Sequence, residues 1–373
     1  MVIYVCTFLL SSFLFLLSTK TKKMFSVLMQ GLGIVLPCLV AAFRDETIGT
    51  DLTVYGTYVY RGTQHVSLFH AINVYSDNPV GFVTYAWLIN LVHGSFQIYL
   101  FGIELLIILP TYLCFKYFAQ KNTWICMIVY YFIFYGISLN IMKQMIAISL
   151  GMLAFRMYYE KQNTKGVLLS ISALLFHQTA FVVFLMYPLY EIYKKFANSS
   201  WFKKIVFYCT SALCCVLIFA CFQRIIGFIS GLKESYSFIT ENEGNGEFML
   251  SPIIYLLFIL LLHFFSRYAL RKNNETSLGI LYNTFFYFEY LSVFGLIFLE
   301  TQVLTLGVAR FGYYFGVFLP LYIGMTFTKK NVLWVKSIAI VMILCVCILQ
   351  TRSYLNGACD IYPYTSSFLR IYK

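Results

Sequence analysis

GLGIVLPCLVAAF (31–43), followed without a spacer by RDETIGTDLTVYGTYVYRG (44–62), decides how this chain is read. The first segment is apolar throughout; the second carries Arg44, Asp45, Glu46, Asp51 and Arg61 among Gly, Thr and Tyr. Apolar runs near the ~20 residues that cross hydrocarbon as a helix read as membrane spans. The polar stretch is then a loop at the end of one. Arg44 falls at the lip of the bilayer, its aliphatic stem in apolar surroundings and its guanidinium at the boundary. An oriented cation there suits an anionic lipid headgroup.

Outward from this junction the apolar pattern recurs at 2–18, 24–43, 97–118, 123–139, 142–158, 203–223, 250–270, 279–299, 306–328 and 333–350. Less regular apolar stretches occupy 80–94 and 166–190. The chain is 60% hydrophobic and 11% charged, with a mean hydropathy of +0.77, whereas soluble domains carry roughly 25% charge. The expectation is an all-α polytopic integral membrane protein of about 10–12 transmembrane helices with long extracytoplasmic loops. Residues 1–373 form a single membrane domain in this reading.

The net charge of +12 would suggest nucleic acid in a soluble protein. Here the Lys and Arg residues cluster between apolar runs, so they are read as cytoplasmic topology determinants and nucleic acid is excluded as a partner. Lys20–Lys23, Lys116 and Lys121, Arg156–Lys165, Lys194–Lys204, Arg267–Lys272 and Lys329–Lys336 mark the cytoplasmic connections. Laying the spans between these anchors places the 44–79 loop, the 224–249 loop and the 351–373 tail outside. The 224–249 loop, rich in Gly and acids, reads as a mobile segment. The parity requires 80–94 and 166–190 each to enter and leave on one side, with a break at Phe176-His177-Gln178-Thr179 dividing the latter into two half-helices. The 11 cysteines lie mostly in apolar runs without metal-ligand spacing and read as small apolar residues.

Several polar groups gather on the outward side by this count. Arg44 has a bland reading as a snorkelling residue, weakened because it runs against the positive-inside trend. Asp51 is either a solvated turn acid or cap, or a site carboxylate. Lys143 and Gln144 follow SLN at the outer end of the 142–158 helix, where Lys143, Ala147, Gly151 and Ala154 share a face suited to close packing. Lys143 points from that seam outward, with the buried Glu104 as a candidate partner. His177 is a general base or a capping residue. Arg310, in LGVARFGYYF, is flanked by apolar and aromatic residues, where an unpaired guanidinium costs on the order of 3 kcal/mol or more. Glu289, mid-span in FFYFEYLSVF, is an intramembrane carboxylate too deep for an outer-face substrate. Tyr55 and neighbouring tyrosines form an interfacial belt, a stacking surface for sugars, or both. Neither Walker A, GxSxG, HExxH nor a cofactor fingerprint is present, and no cofactor or metal is expected.

Taken together, AAFRDETIGTDLTVY, DNPVGFVTYAWLINLV, LNIMKQMIAISL, SALLFHQTAFVVF and VARFGYYFGVFLP, with a weaker match at IYPYTSS, resemble the EpsG family of Wzy-type polysaccharide polymerases. Lys143 stands where the family often has Arg, and Ser76-Asp77-Asn78-Pro79 where a Glu is common. The resemblance implies polymerisation of undecaprenyl-diphosphate-linked oligosaccharide repeats into capsular, exo- or O-antigen polysaccharide. The site then faces outward from the bacterial cytoplasmic membrane, with flippase and chain-length regulator proteins as partners. It also implies catalytic roles for Asp51, His177 and Arg310, with Asp51 and His177 competing as base. Arg44, Lys143, Gln144, Tyr55 and Tyr364 are implied as substrate-binding. A flippase for the same lipid-linked repeat and a glycan ligase are the competing functions.

Overall fold

The computed structural model describes residues 1–197, 199–230, 257, 259–264, 277–301, 306–328 and 333–372. Among these the chain is helical, its extended pairing confined to one isolated bridge, Ser366 with Ile371. Two compact units are distinguished: residues 1–184, 323–330 and 337–373 form the first, and 185–322 with 331–336 the second.

The first unit opens with α1 (Val2–Ser18) and α2 (Lys23–Ala42). The polar stretch that follows is not an open loop: it winds into a π turn (Leu52–Gly56), α3 (Thr57–Gly62) and α4 (Leu68–Val74), the last capped by Ser67, whose hydroxyl accepts from the His70 N–H. α5 (Val80–Leu91) and the long α6 (Phe96–Ala119, capped by Ser95) follow. Then come α7 (Thr123–Tyr130), a second π turn (Tyr131–Tyr135) and α8 (Gly136–Asn140). α9 (Met142–Tyr159), α10 (Asn163–Phe176) and α11 (Val183–Ala197) continue the chain, α11 running across the boundary between units.

Three stretches are long and apolar enough to cross a membrane among the described residues: Lys23–Ala42, Phe96–Asn140 and, near the C-terminus, Leu333–Leu355. Val2–Ser18, Val80–Leu91 and Asn163–Phe176 are shorter apolar helices. Apolar side chains stand exposed along these elements, including Phe25, Val27 and Leu28 on α2 and Val341, Leu344 and Ile348 near the C-terminus. In water such a surface is a liability; against lipid tails it is the natural exterior.

Small residues let the first unit close. A Cβ on Gly151 would lie 2.6 Å from Val183 Cγ2, and Ala147 and Ala154 on the same α9 face are fully buried. The expected small-residue seam is therefore present. The break expected between Phe176 and Thr179 is present too: α10 ends at Phe176, and a 3-10 turn spans Gln178–Val182. His177 occupies the joint in extended backbone geometry.

The second unit contains α12 (Trp201–Ser230), α13 (Ser277–Thr301) and α14 (Leu306–Gly316). Tyr193 stacks on Tyr287 at 5.2 Å and Phe285 on Phe318 at 5.3 Å, giving it an aromatic core of its own. Glu289 is buried within it, as its mid-span position suggests. α15 (Leu319–Thr328) and α16 (Leu333–Leu355) both cross the unit boundary. The 224–249 segment lies outside the described residues beyond Ser230, as does most of the 250–270 run.

Candidate functional site

The site grows from the first turn of α9. Ile141 leaves helical geometry at φ −104°, ψ 55°, so α8 and α9 meet at a corner and the α9 N-terminus begins afresh. The first N–H groups of a helix lack intrahelical acceptors, which leaves a partial positive charge at such an end. Three consecutive side chains fan out from here in different directions.

Met142 goes to Arg44. Arg44 is 5% exposed, and among the described residues its one hydrogen bond is from Nη2 to the Met142 thioether at 3.1 Å. Nε is buried with no partner among the described residues. Thioether sulfur is a weak acceptor. Glu104, Tyr135, Tyr4 and Tyr364 surround the charge electrostatically, yet no ion pair within 4.0 Å joins Arg44 to Glu104. Glu104 instead accepts from Ser138 Oγ at 3.0 Å. A buried cation with neither a direct counter-ion nor a full set of acceptors is costly, by several kcal/mol in general. An arriving anion relieves that cost.

Lys143 goes the other way. Its Nζ lies 3.6 Å from the centroid of the Tyr55 ring and 3.2 Å from Asn78 Oδ1. The pairing with Glu104 expected from sequence is thus corrected: Lys143 and Met142 leave the helix about 100° apart, and the latter goes to Arg44 while Lys143 goes to Tyr55 and Asn78. Asn78 belongs to the Ser76–Pro79 segment, so an amide meets the lysine there. Asp51 stands four residues before Tyr55, about one turn away, at the start of the π turn. Its side chain makes no capping hydrogen bond there, so the cap reading does not describe it.

Gln144 goes inward. It is buried, and its Nε2 donates to Thr179 Oγ1 at 3.5 Å. Thr179 Oγ1 lies 2.7 Å from His177 Nδ1, which also accepts the Thr179 backbone N–H at 3.3 Å. Because Nδ1 serves as acceptor, the neutral ring carries its proton on Nε2. His177 therefore caps the 3-10 turn.

The loop bearing Arg44 is held by groups distant in sequence. Gly49 adopts φ +85°, and a Cβ there would lie 2.2 Å from the Leu139 carbonyl oxygen, so only glycine fits. The Thr50 N–H bonds Asn140 Oδ1 at 3.0 Å. Tyr364, in the tail, donates to the Val40 carbonyl at 3.1 Å and packs edge-on against Tyr4 at 5.4 Å. Burial is the main reason its phenol is pushed up to about 12, against the pull of Arg44.

Arg44, Lys143, Gln144, Tyr55, His177 and Tyr364 thus all belong to the first unit, around the α9 corner, with Asp51 one turn from Tyr55. Arg310 belongs to the second unit, on α14, and is half-buried. Sequence reasoning missed Met142, Thr179 and Asn140; a methionine, a threonine and an asparagine in apolar helices carry no local signal. It also missed the tail contacts, since pairing across more than 300 residues has no periodic signature.

The family model described as the EpsG family matches residues 27–366. The match takes in α2, the Arg44 loop, the α9 corner, the second unit and the tail through Ser366. No curated protein and no solved structure matches the chain.

Proposed function

The chain belongs to the EpsG family, whose members are Wzy-type polymerase-like, and from that premise we propose that it polymerises undecaprenyl-diphosphate-linked oligosaccharide repeats. The product is a capsular, exo- or O-antigen polysaccharide. In this reading the protein crosses the bacterial cytoplasmic membrane about 10–12 times, with the α9 corner facing outward. The observation that carries the reading is Arg44, a buried guanidinium left without an adequate acceptor beside the α9 N-terminus.

A glycosyl transfer from a lipid diphosphate breaks the bond between the anomeric carbon and the phosphate oxygen. The acceptor hydroxyl oxygen forms the new bond to that carbon and gives up its proton. The leaving diphosphate gains negative charge as the bond breaks, so fixed cations lower the barrier most. Arg44, whose fork matches phosphate oxygens, is the primary contact. Lys143, steadied over Tyr55, supplies a second cation, and the α9 N-terminus a third source of positive potential.

The proton goes to Asp51. His177 competes for that role in the sequence, but its Nδ1 is occupied by Thr179, and the Nε2–H is a donor rather than a base. His177 then orients a sugar hydroxyl or phosphate oxygen. Tyr55, 40% exposed, offers a ring edge to the saccharide, and Tyr364 stands near the Arg44 charge. Arg310 is proposed as a further catalytic cation, to be judged by its own substitution.

The deciding experiment is mass spectrometry of lipid-linked glycans in a strain lacking the protein. Single outward-facing repeats accumulating on lipid support polymerisation. Inward-facing repeats would point to a flippase, and long lipid-linked polymer to a ligase; either result overturns the proposal.

A further inference from the structure

The segment that carries Arg44 has little secondary structure to hold it. Between α2 and the π turn its own backbone hydrogen bonds are two short turns, Ile48 N–H to the Asp45 carbonyl and Leu52 N–H to the Gly49 carbonyl, both 3.1 Å. A buried cation in a loose loop binds poorly, because its placement must be bought with ordering entropy at every encounter. Something else must fix this loop.

The C-terminal tail does so on both sides of Arg44. Before it, Tyr364 Oη donates to the Val40 carbonyl at 3.1 Å, one of the orphan acceptors in the last turn of α2. Phe368 stacks on Phe43 at 4.7 Å. Immediately after it, the Asp45 N–H bonds the Thr365 carbonyl at 3.1 Å, and the Asp45 carboxylate accepts the Ser367 N–H at 2.7 Å. Further on, the Gly49 N–H bonds the Asp360 carbonyl at 3.1 Å, and Thr50 Oγ1 donates to Asp360 Oδ2 at 2.8 Å.

The tail is itself anchored. Tyr4 Oη on α1 donates to the Ile361 carbonyl at 3.1 Å, and Ser366 bonds Ile371 in both directions at 2.9 Å. Ile361 and Ser366 are fully buried. A segment buried and bonded in this way, at the residue next to an underbonded arginine, is a support.

We propose that residues 358–371 are a positioning clamp for Arg44, with Asp45 and Asp360 as the residues through which the tail sets where the guanidinium stands. The clamp acts on binding of the lipid diphosphate through Arg44 and touches no reacting atom. This rests on the reading of Arg44 as the diphosphate contact. Both aspartates accept hydrogen bonds from neutral donors, so an amide oxygen of the same shape can replace either.

The test is equilibrium binding of undecaprenyl diphosphate to the full chain in lipid nanodiscs, with thermal stability measured alongside. Asp45→Ala and Asp360→Ala should each weaken binding about tenfold, whereas Asp45→Asn and Asp360→Asn should stay within about threefold of wild type. In an Arg44→Ala background, Asp45→Ala should add no further loss, because residues that act through one another are non-additive. A full additional tenfold loss in that background, or unchanged binding in both alanine variants, would overturn the clamp. So would asparagine variants as weak as the alanines, since charge would then be the operative property. If Arg44→Ala alone binds as tightly as wild type, the diphosphate reading of Arg44 fails first. If Arg44→Ala loses binding and the aspartate variants keep it, the clamp fails alone.

Discussion

The two ends of α9 each meet a buried or half-buried arginine, and they treat it in opposite ways. At the C-terminal end, Arg156 Nε bonds Glu160 at 2.9 Å, Nη1 bonds the Leu113 carbonyl at 3.0 Å, and the guanidinium lies 4.7 Å over the Tyr117 ring. At the N-terminal end, Arg44 is more deeply buried and has a thioether. Both are arginines at the edge of apolar runs, and residue type alone does not separate them. The difference lies in how many donors the fold satisfies. A satisfied arginine secures helices and topology, whereas the underbonded Arg44 is the one proposed above to meet a ligand.

The sharpest way to break this contrast is to remove both groups in turn. Arg44→Ala should lower polymerisation by about a hundredfold or more, the scale of a lost preorganised charge contact, with protein still present in the membrane. Arg44→Lys should recover part of it. If chain length and rate stayed at wild type, underbonding would have no functional meaning here. Lys143→Gln should cost about tenfold to a hundredfold, and Lys143→Arg considerably less, since the cation over Tyr55 is retained. Arg310→Gln, in the second unit, should fall in the same range if it acts on the leaving diphosphate, with turnover reduced more than repeat-unit binding.

His177 sharpens the comparison at a smaller scale. Asn is a good cap and can accept the Thr179 N–H, so His177→Asn should hold stability while losing whatever the imidazole edge contributes to turnover, about tenfold. His177→Ala should lose both. Equal melting temperatures for the two variants would remove the capping role. Arg156→Gln is expected to do the reverse of Arg44→Ala: turnover within about threefold, and stability lower by about 1–2 kcal/mol, read as a lower melting temperature in detergent.

The smallest effect concerns pH. Burial raises the Asp45 carboxyl, but hydrogen bonds from Ser367 and Thr365 outweigh it and hold the group below its ordinary range. A folded-state pKa below the unfolded value of about 3.9 means that this contribution is fully present above that pH and is lost as pH falls through the folded value. Between about pH 5 and 8 the rate profiles of wild type and Asp45→Asn should therefore superimpose. A limb in that window that disappears in Asp45→Asn would assign the carboxylate a part in the chemistry.

Much of the helical layout was legible from hydropathy. The apolar runs at 2–18, 97–118 and 142–158 fall on Val2–Ser18, Phe96–Ala119 and Met142–Tyr159, since continuous apolar sequence has few ways to satisfy its backbone away from water. The break at His177 was also legible, and Gly151 with Ala147 announced a close seam. As sequence the 306–328 run reads as one helix, but it divides at Val317-Phe318 into α14 and α15. The polar 44–79 stretch reads as loop, yet much of it is helical, because residues such as Val59 and Tyr60 bury their side chains against neighbouring helices that local propensity does not see.

By itself the sequence determined an all-α, helix-built protein with apolar surfaces fit for lipid, its family, and which polar residues were worth watching. What only the tertiary structure decided is what each of those residues meets. Arg44 and Arg156 differ through carbonyls, carboxylates and a sulfur brought from other helices. Lys143 turns to Tyr55 rather than Glu104 because three successive side chains on a helix diverge. The loop around Arg44 is shaped by a tail more than 300 residues away. Hydrogen-bond satisfaction is a property of three-dimensional neighbours, and no spacing along the chain encodes it.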